Sequence, residues 1–121
     1  MLFLCMKHFA NFCSFAVPSA PPLNVSAEVL SSTVINFFWQ PPLAQELNGI
    51  LQNYNVIVEE VPTGREWIYA SNGTDLLVTS LHPYYNYSCR VSANTIGIGP
   101  YSSPITATTN EAGDDYVAML E

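Results

Sequence analysis

Three tripeptides of the sequence carry the acceptor pattern for N-linked glycosylation: Asn24-Val25-Ser26, Asn72-Gly73-Thr74 and Asn86-Tyr87-Ser88. In each, the asparagine amide is the attachment point and the hydroxyl two residues later completes the recognised pattern. Such a short pattern recurs by chance, so its weight depends on whether each asparagine lies on an outer surface. The other groups able to do chemistry are scattered. His8 and His82 have no Ser, Cys or acidic residue at the spacing of a triad or a metal site. Glu59 and Glu60 are adjacent, and on a strand their side chains leave opposite faces, so they cannot form a carboxylate dyad. Gly97-Ile98-Gly99 begins like a nucleotide-binding loop, yet Pro100 stands where the helix would have to start, which makes it a turn. Cys5, Cys13 and Cys89 are an odd number without the close pairing of zinc or redox motifs. Cys89 is expected to be a small buried hydrophobe with an unreactive thiol. No catalytic residue, cofactor site or metal site is expected.

The elements that position these residues are strands. The chain has 121 residues, 49% of them hydrophobic, which suits one packed domain. Its Tyr, Phe, Val, Ile and Thr content favours strands over amphipathic helices. From Pro18 onward, short alternating runs are separated by turn residues at regular spacing, the pattern of a sandwich or barrel. Pro21-Pro22 opens the first run, in which Val25 and Ala27 alternate with Asn24 and Ser26. Ser31-Ser32 turns into the second, where Ile35, Phe37 and Trp39 share one face before Pro41-Pro42 ends the ladder. A loop through Asn48-Gly49 precedes the third, with Tyr54, Val56 and Val58 on one face. The fourth, from about Glu66 to Ala70, stops at Asn72-Gly73, a dipeptide suited to a tight hairpin turn. Leu76 and Val78 lead the fifth run to Leu81 and Pro83. The sixth places Tyr87, Cys89, Val91 and Ala93 inward, and Asn86, Ser88, Arg90, Ser92 and Asn94 outward. The last, about Ser102 to Thr109, turns Ile105 and Ala107 inward. Phe38, Trp67, Tyr69 and Tyr101 are expected on outer faces or loops, where they could anchor a protein partner or stack across strands.

Two segments fall outside the expected domain of residues 18–110. Residues 1–17 form an apolar leader, too short and too polar to span a bilayer. Ser14 and Ala16 are the small residues of a signal-peptide cut, although Lys7 follows the apolar run instead of preceding it; a fragment's non-domain leader is the alternative. Residues 111–121 hold Glu111, Asp114, Asp115 and Glu121, a solvated acidic tail. The formal charge of −7 leaves no basic stripe for nucleic acid or anionic lipid.

Pro22, Val25, the Ile35/Phe37/Trp39 face with Pro41-Pro42, Asn48-Gly49 before Tyr54, Leu81-x-Pro83, and Tyr87 followed by Val91, Ala93, Asn94, Gly97, Gly99 and Ser102 together resemble the fibronectin type III family. The resemblance spans about Pro18 to Asn110. It implies an all-β, seven-stranded, two-sheet antiparallel sandwich of immunoglobulin-like type. In it Trp39 fills the core with Tyr54, Leu81, Tyr87, Cys89 and Val91, and Tyr87 forms a tyrosine corner whose hydroxyl bonds backbone near the preceding loop. An immunoglobulin domain proper would place its Trp shortly after the first Cys. Here a complete strand and its turn lie between Pro21 and Ser32, ahead of Trp39. Pro18-Ser19-Ala20-Pro21-Pro22 and Gly97-Ile98-Gly99-Pro100-Tyr101-Ser102 resemble repeats of long ectodomains, such as those of receptor-type tyrosine phosphatases. The phosphatase signature itself is absent, since Cys89-Arg90 lies within a strand.

The expected function is therefore a non-catalytic protein-interaction or spacer module of a cell-surface or secreted protein, a fragment of a longer multi-repeat ectodomain. A soluble receptor fragment acting as a decoy for a protein ligand is the alternative. The expected setting is extracellular, with an unknown protein partner, no nucleic acid, no small-molecule substrate, and membrane attachment only through a longer parent chain.

Overall fold

Side chains two positions apart on a strand share a face, and this period decides how the chain partitions between core and solvent. A computed structural model describes residues 16–112. They form seven strands, β1 (Leu23–Val29), β2 (Ile35–Gln40), β3 (Asn53–Glu60), β4 (Arg65–Ser71), β5 (Asp75–Val78), β6 (Asn86–Asn94) and β7 (Ile105–Thr108), with one short helix, α1 (Ala44–Leu47). One antiparallel sheet has the order β1-β2-β5 and the other the order β4-β3-β6-β7. The seven-stranded, two-sheet antiparallel sandwich that the resemblance implies is the observed fold.

The core comes from the facing sides of both sheets. Ile35, Phe37 and Trp39 of β2, Tyr54, Val56 and Val58 of β3, and Tyr87, Cys89, Val91 and Ala93 of β6 are buried, with Val78 and Leu81. Trp39 meets Tyr54 edge to face, with ring centroids 5.5 Å apart and planes at 65°, an arrangement that adds to simple area burial. β3 and β6 are interior strands. That position buries even Ser88 and Ser92, which alternation alone assigns to an open outer face.

Several local features depart from expectation. Asn72-Gly73 is not a hairpin turn, because β4 lies in one sheet and β5 in the other. The segment crosses between layers, pinned by the Ser71 hydroxyl, which accepts from Gly73 N at 3.2 Å and donates to the Asp75 carbonyl at 3.0 Å. The Asn48-Gly49 loop contains α1, which Asn48 ends in the left-handed conformation at φ 58. Asn24 also takes a positive φ of 54, where the β1/β2 register shifts between Leu23 and Ser26; this is a bulge that roughens the edge.

Ala16 and Val17, expected to stand outside the fold as part of the leader, are bonded into it. Ala16 N donates to the Asn48 carbonyl at 2.8 Å, the Thr95 hydroxyl to the Ala16 carbonyl at 2.8 Å, and Asn48 Nδ2 to the Val17 carbonyl at 3.1 Å. The following Pro18 is buried against Gly99, where an added Cβ would lie 2.8 Å from Pro18 Cβ and 3.0 Å from Cγ. A proline ring cannot swing aside, so Gly99→Ala is expected to destabilise by about 1–3 kcal/mol in urea unfolding, as overpacking does elsewhere. Lys7, His8, Cys5, Cys13 and Ser14 of the leader, and Asp114, Asp115 and Glu121 of the tail, lie outside the described residues.

Candidate functional site

Among the described residues, the densest group of titratable side chains is built on Glu60, the last residue of β3. Glu60 continues the face of Tyr54, Val56 and Val58, so the alternation that buries those residues also draws a carboxylate inward, to 1% exposure. A buried carboxylate is tolerated only when hydrogen bonds replace its water. Thr63 Oγ1 donates to Glu60 Oε1 at 2.7 Å, the Tyr87 hydroxyl donates to Oε2 at 3.0 Å, and His82 Nδ1 lies 2.8 Å from Oε2. The β3/β4 turn supplies Thr63, where Thr63 N and Gly64 N both donate to the Glu60 carbonyl and Gly64 takes φ 77. The β3/β6 register sets Tyr87 directly opposite Glu60. Bonds from Thr63 and His82, opposed by burial, hold the Glu60 carboxyl down at about 2.

The Tyr87 hydroxyl also accepts the backbone N–H of His82 at 2.8 Å, which is the tyrosine corner. Burial raises the Tyr87 pKa, and its bond to Glu60 adds to the rise. Thr109 Oγ1 donates to the His82 carbonyl at 2.7 Å and accepts Tyr85 N at 3.0 Å, tying the same loop to the residue that follows β7. His82, which has no acidic residue at the spacing of a triad or a metal site, does have an acidic neighbour in space. Its partner lies 22 positions earlier and reaches it only through sheet pairing. The signal that could have located Glu60 was its place in the Tyr54/Val56/Val58 row.

A carboxylate beside an imidazole is the start of an acid–base relay, which also needs a free nucleophile and space for a substrate. The one hydroxyl bonded to this carboxylate from the imidazole's own loop and strand, that of Tyr87, is engaged as both donor and acceptor. The nearby cavity of about 380 Å³ is lined by Tyr84, Thr108, Thr109, Asn110 and Glu111, with none of Glu60, His82 or Tyr87 in its wall. The arrangement braces the β3/β4 turn, the β5/β6 loop and β6 against one another. Among the described residues, no three His, Cys, Asp or Glu gather as a metal set. Cys89 is a free buried thiol whose pKa desolvation raises to about 12, which keeps it protonated.

The remaining candidates divide between the surface and the rim of the core. Asn24, Asn72 and Asn86 are all exposed. Asn24 Nδ2 donates to Gln40 Oε1 at 2.6 Å, and the Asn86 amide oxygen accepts from the Thr108 hydroxyl. Phe38 lies on the outer side of its sheet, 39% exposed, opposite Ser26 and Asp75. Tyr101 is half-buried, with the Arg90 guanidinium 5.7 Å from its ring centroid. Trp67 and Tyr69 correct the expectation of an outer position. They pair with Val58 and Val56 and so face inward, half-buried against the core. Arg65 covers Trp67 at 5.2 Å. The large hydrophobic residue that this strand exposes is Ile68, at 71%.

Against known proteins, the family model described as "Fibronectin type III domain" matches residues 19–108. The chain is 34% identical over 102 residues to "Cell adhesion molecule Dscam2" of Drosophila melanogaster, covering 78% of this chain and 5% of that protein. It is 39% identical over 100 residues to "Tyrosine-protein phosphatase Lar" of the same organism, again 78% and 5%. It is 39% identical over 97 residues to the Homo sapiens "Netrin receptor DCC", at 78% and 7%. The chain thus spans 5 to 7% of the length of these relatives. Among solved structures, the FN5 domain of Drosophila Lar superimposes with a TM-score of 0.63 and 30% identity, covering 78% of this chain and 98% of that one. Domains A168–A170 of titin match with a TM-score of 0.69 and 26% identity, over 78% and 33%.

Proposed function

This chain belongs to the fibronectin type III family, and on that premise we propose that it is a non-catalytic protein-interaction or spacer module of a cell-surface or secreted protein, one repeat of a longer multi-repeat ectodomain. The observation that carries this reading is the similarity of 78% of this chain to segments of a cell adhesion molecule, a receptor and a phosphatase, each many times longer. A fibronectin type III domain is itself non-catalytic, and the phosphatase activity named for Lar has no residues here to carry it. The exposure of Asn24, Asn72 and Asn86 supports an extracellular setting, because glycan bulk is accepted only at the surface. Net charge of −7 disfavours nucleic acid as a partner.

Site-resolved mass spectrometry of the chain recovered from the medium of secreting cells tests this reading. Glycans are expected at Asn24, Asn72 and Asn86, each lost when the hydroxyl residue of its tripeptide, Ser26, Thr74 or Ser88, is replaced by Ala. Secreted material bare at all three positions would overturn the glycosylated extracellular setting.

A further inference from the structure

An edge strand presents a row of unpaired N–H and C=O groups, and proteins blunt such edges with prolines, bulges, charges or short length. The two sheets have four edges, β1, β5, β4 and β7, and three are blunted. β1 follows Pro21-Pro22 and is bulged at Asn24. β5 has four residues and opens on Asp75. β7 has four residues and follows Pro104. β4 carries the opposite charges of Arg65 and Glu66 at its start, but it has neither a proline nor a bulge, and its seven residues make seven consecutive pairs with β3. Among the described residues no strand covers its other side.

We infer that β4 is a self-pairing edge, along which two copies of this chain join antiparallel about a two-fold axis at Ile68. This deepens the interaction-module reading and rests on it. In the register that uses all seven residues, Ile68 faces Ile68 of the second copy, Trp67 faces Tyr69, Glu66 faces Ala70 and Arg65 faces Ser71. Aromatic and β-branched cross-strand pairs are the favourable ones, and no like charges stand opposite each other. The register also keeps Trp67 and Tyr69 of both copies on the core side of one continuous sheet, which covers rings that are half-buried in a single copy. Ile68, 71% exposed, is buried at the axis. A chain of charge −7 repels its own copy, but this edge is locally balanced: Arg65 adjoins Glu66, and Arg90 Nη2 lies 3.4 Å from Glu66 Oε2. Gly64, which would face Asn72 of the second copy, has open space where a Cβ would be.

The test uses the full chain made in bacteria, so that Asn72 carries no glycan and the result is independent of the glycan mapping above. Sedimentation equilibrium is expected to show a monomer–dimer equilibrium in roughly the micromolar to millimolar range of a small transient interface. Amide exchange across Arg65–Ser71 should slow as concentration rises. Ile68→Lys and Ile68→Glu each place like charges on the axis and are expected to weaken dimerisation at least about tenfold with unchanged thermal midpoints; mixing the two variants should restore pairing. A wild-type monomer up to about 1 mM, a dimer that survives both substitutions, or a mixture that fails to pair would overturn the proposal. A monomeric result would leave the spacer reading, which rests on secretion and glycans, standing.

Discussion

Truncating Trp39 to Ala lowers the unfolding free energy by about 3–5 kcal/mol, the range of large-to-small aromatic substitutions in cores. Trp39 is 3% exposed, spans the space between the sheets and carries the edge-to-face contact with Tyr54. The surrounding core cannot readily close over that volume, because core residues such as Phe37, Val56 and Val91 sit on strands paired on both sides. Since a domain holds only about 5–15 kcal/mol in total, a loss of this size is a large fraction of the whole. Trp39→Phe should lose much less. It keeps most of the apolar volume and removes Nε1, a buried donor that has no hydrogen-bond partner. Urea unfolding of the two variants checks both statements, and equal losses would mean that the indole N–H, not the ring volume, matters at this site.

The second large effect belongs to Glu60 and carries a pH signature. Its carboxyl is held at about 2 against an ordinary 4.5, first by the Thr63 hydroxyl and then by His82. A group whose pKa is depressed on folding favours the folded state while it is ionised in both states, so its contribution is complete above 4.5. It is lost as pH falls from there through about 2, where the folded carboxyl takes up its proton. Glu60→Gln has no carboxylate to lose. The stability gap between wild type and Glu60→Gln should therefore be widest near neutral pH and close as the solution is acidified through this window. A gap that is constant with pH would show that the carboxylate charge plays no part in the brace.

Much of the fold is legible in the residue order because the side-chain period of a strand is short. The Ile35/Phe37/Trp39 row and the Tyr87/Cys89/Val91/Ala93 row each report their buried face within a few residues. What spans the sheets is less legible. Nothing local distinguishes Asn72-Gly73 as a crossover between layers from the same dipeptide as a hairpin tip, since the choice depends on which strand β5 pairs with. The inward turn of Trp67 and Tyr69 follows from the β3/β4 register, which aligns Val58 with Trp67 and Val56 with Tyr69. The Glu60 cluster joins residues 22 and 27 positions apart, and only the pairing of Glu60 with Tyr87 across β3 and β6 brings them together. The tyrosine corner itself was legible through resemblance, whereas its acidic partner depends on long-range pairing. The surface positions of Asn24 and Asn86 follow from the alternation, whereas Asn72 is exposed on a crossover between sheets and not at the hairpin tip expected for it.

The densest constellation of titratable groups among the described residues is a structural brace, and a double-mutant cycle on Glu60→Gln and Tyr87→Phe tests that claim most directly. Urea unfolding near neutral pH would be measured for wild type, both single variants and the double variant. Because the two side chains share one hydrogen bond and one loop, each single substitution should destabilise, and the double variant should lose clearly less than the sum of the two. Strictly additive losses, or a Glu60→Gln variant as stable as wild type, would contradict the brace.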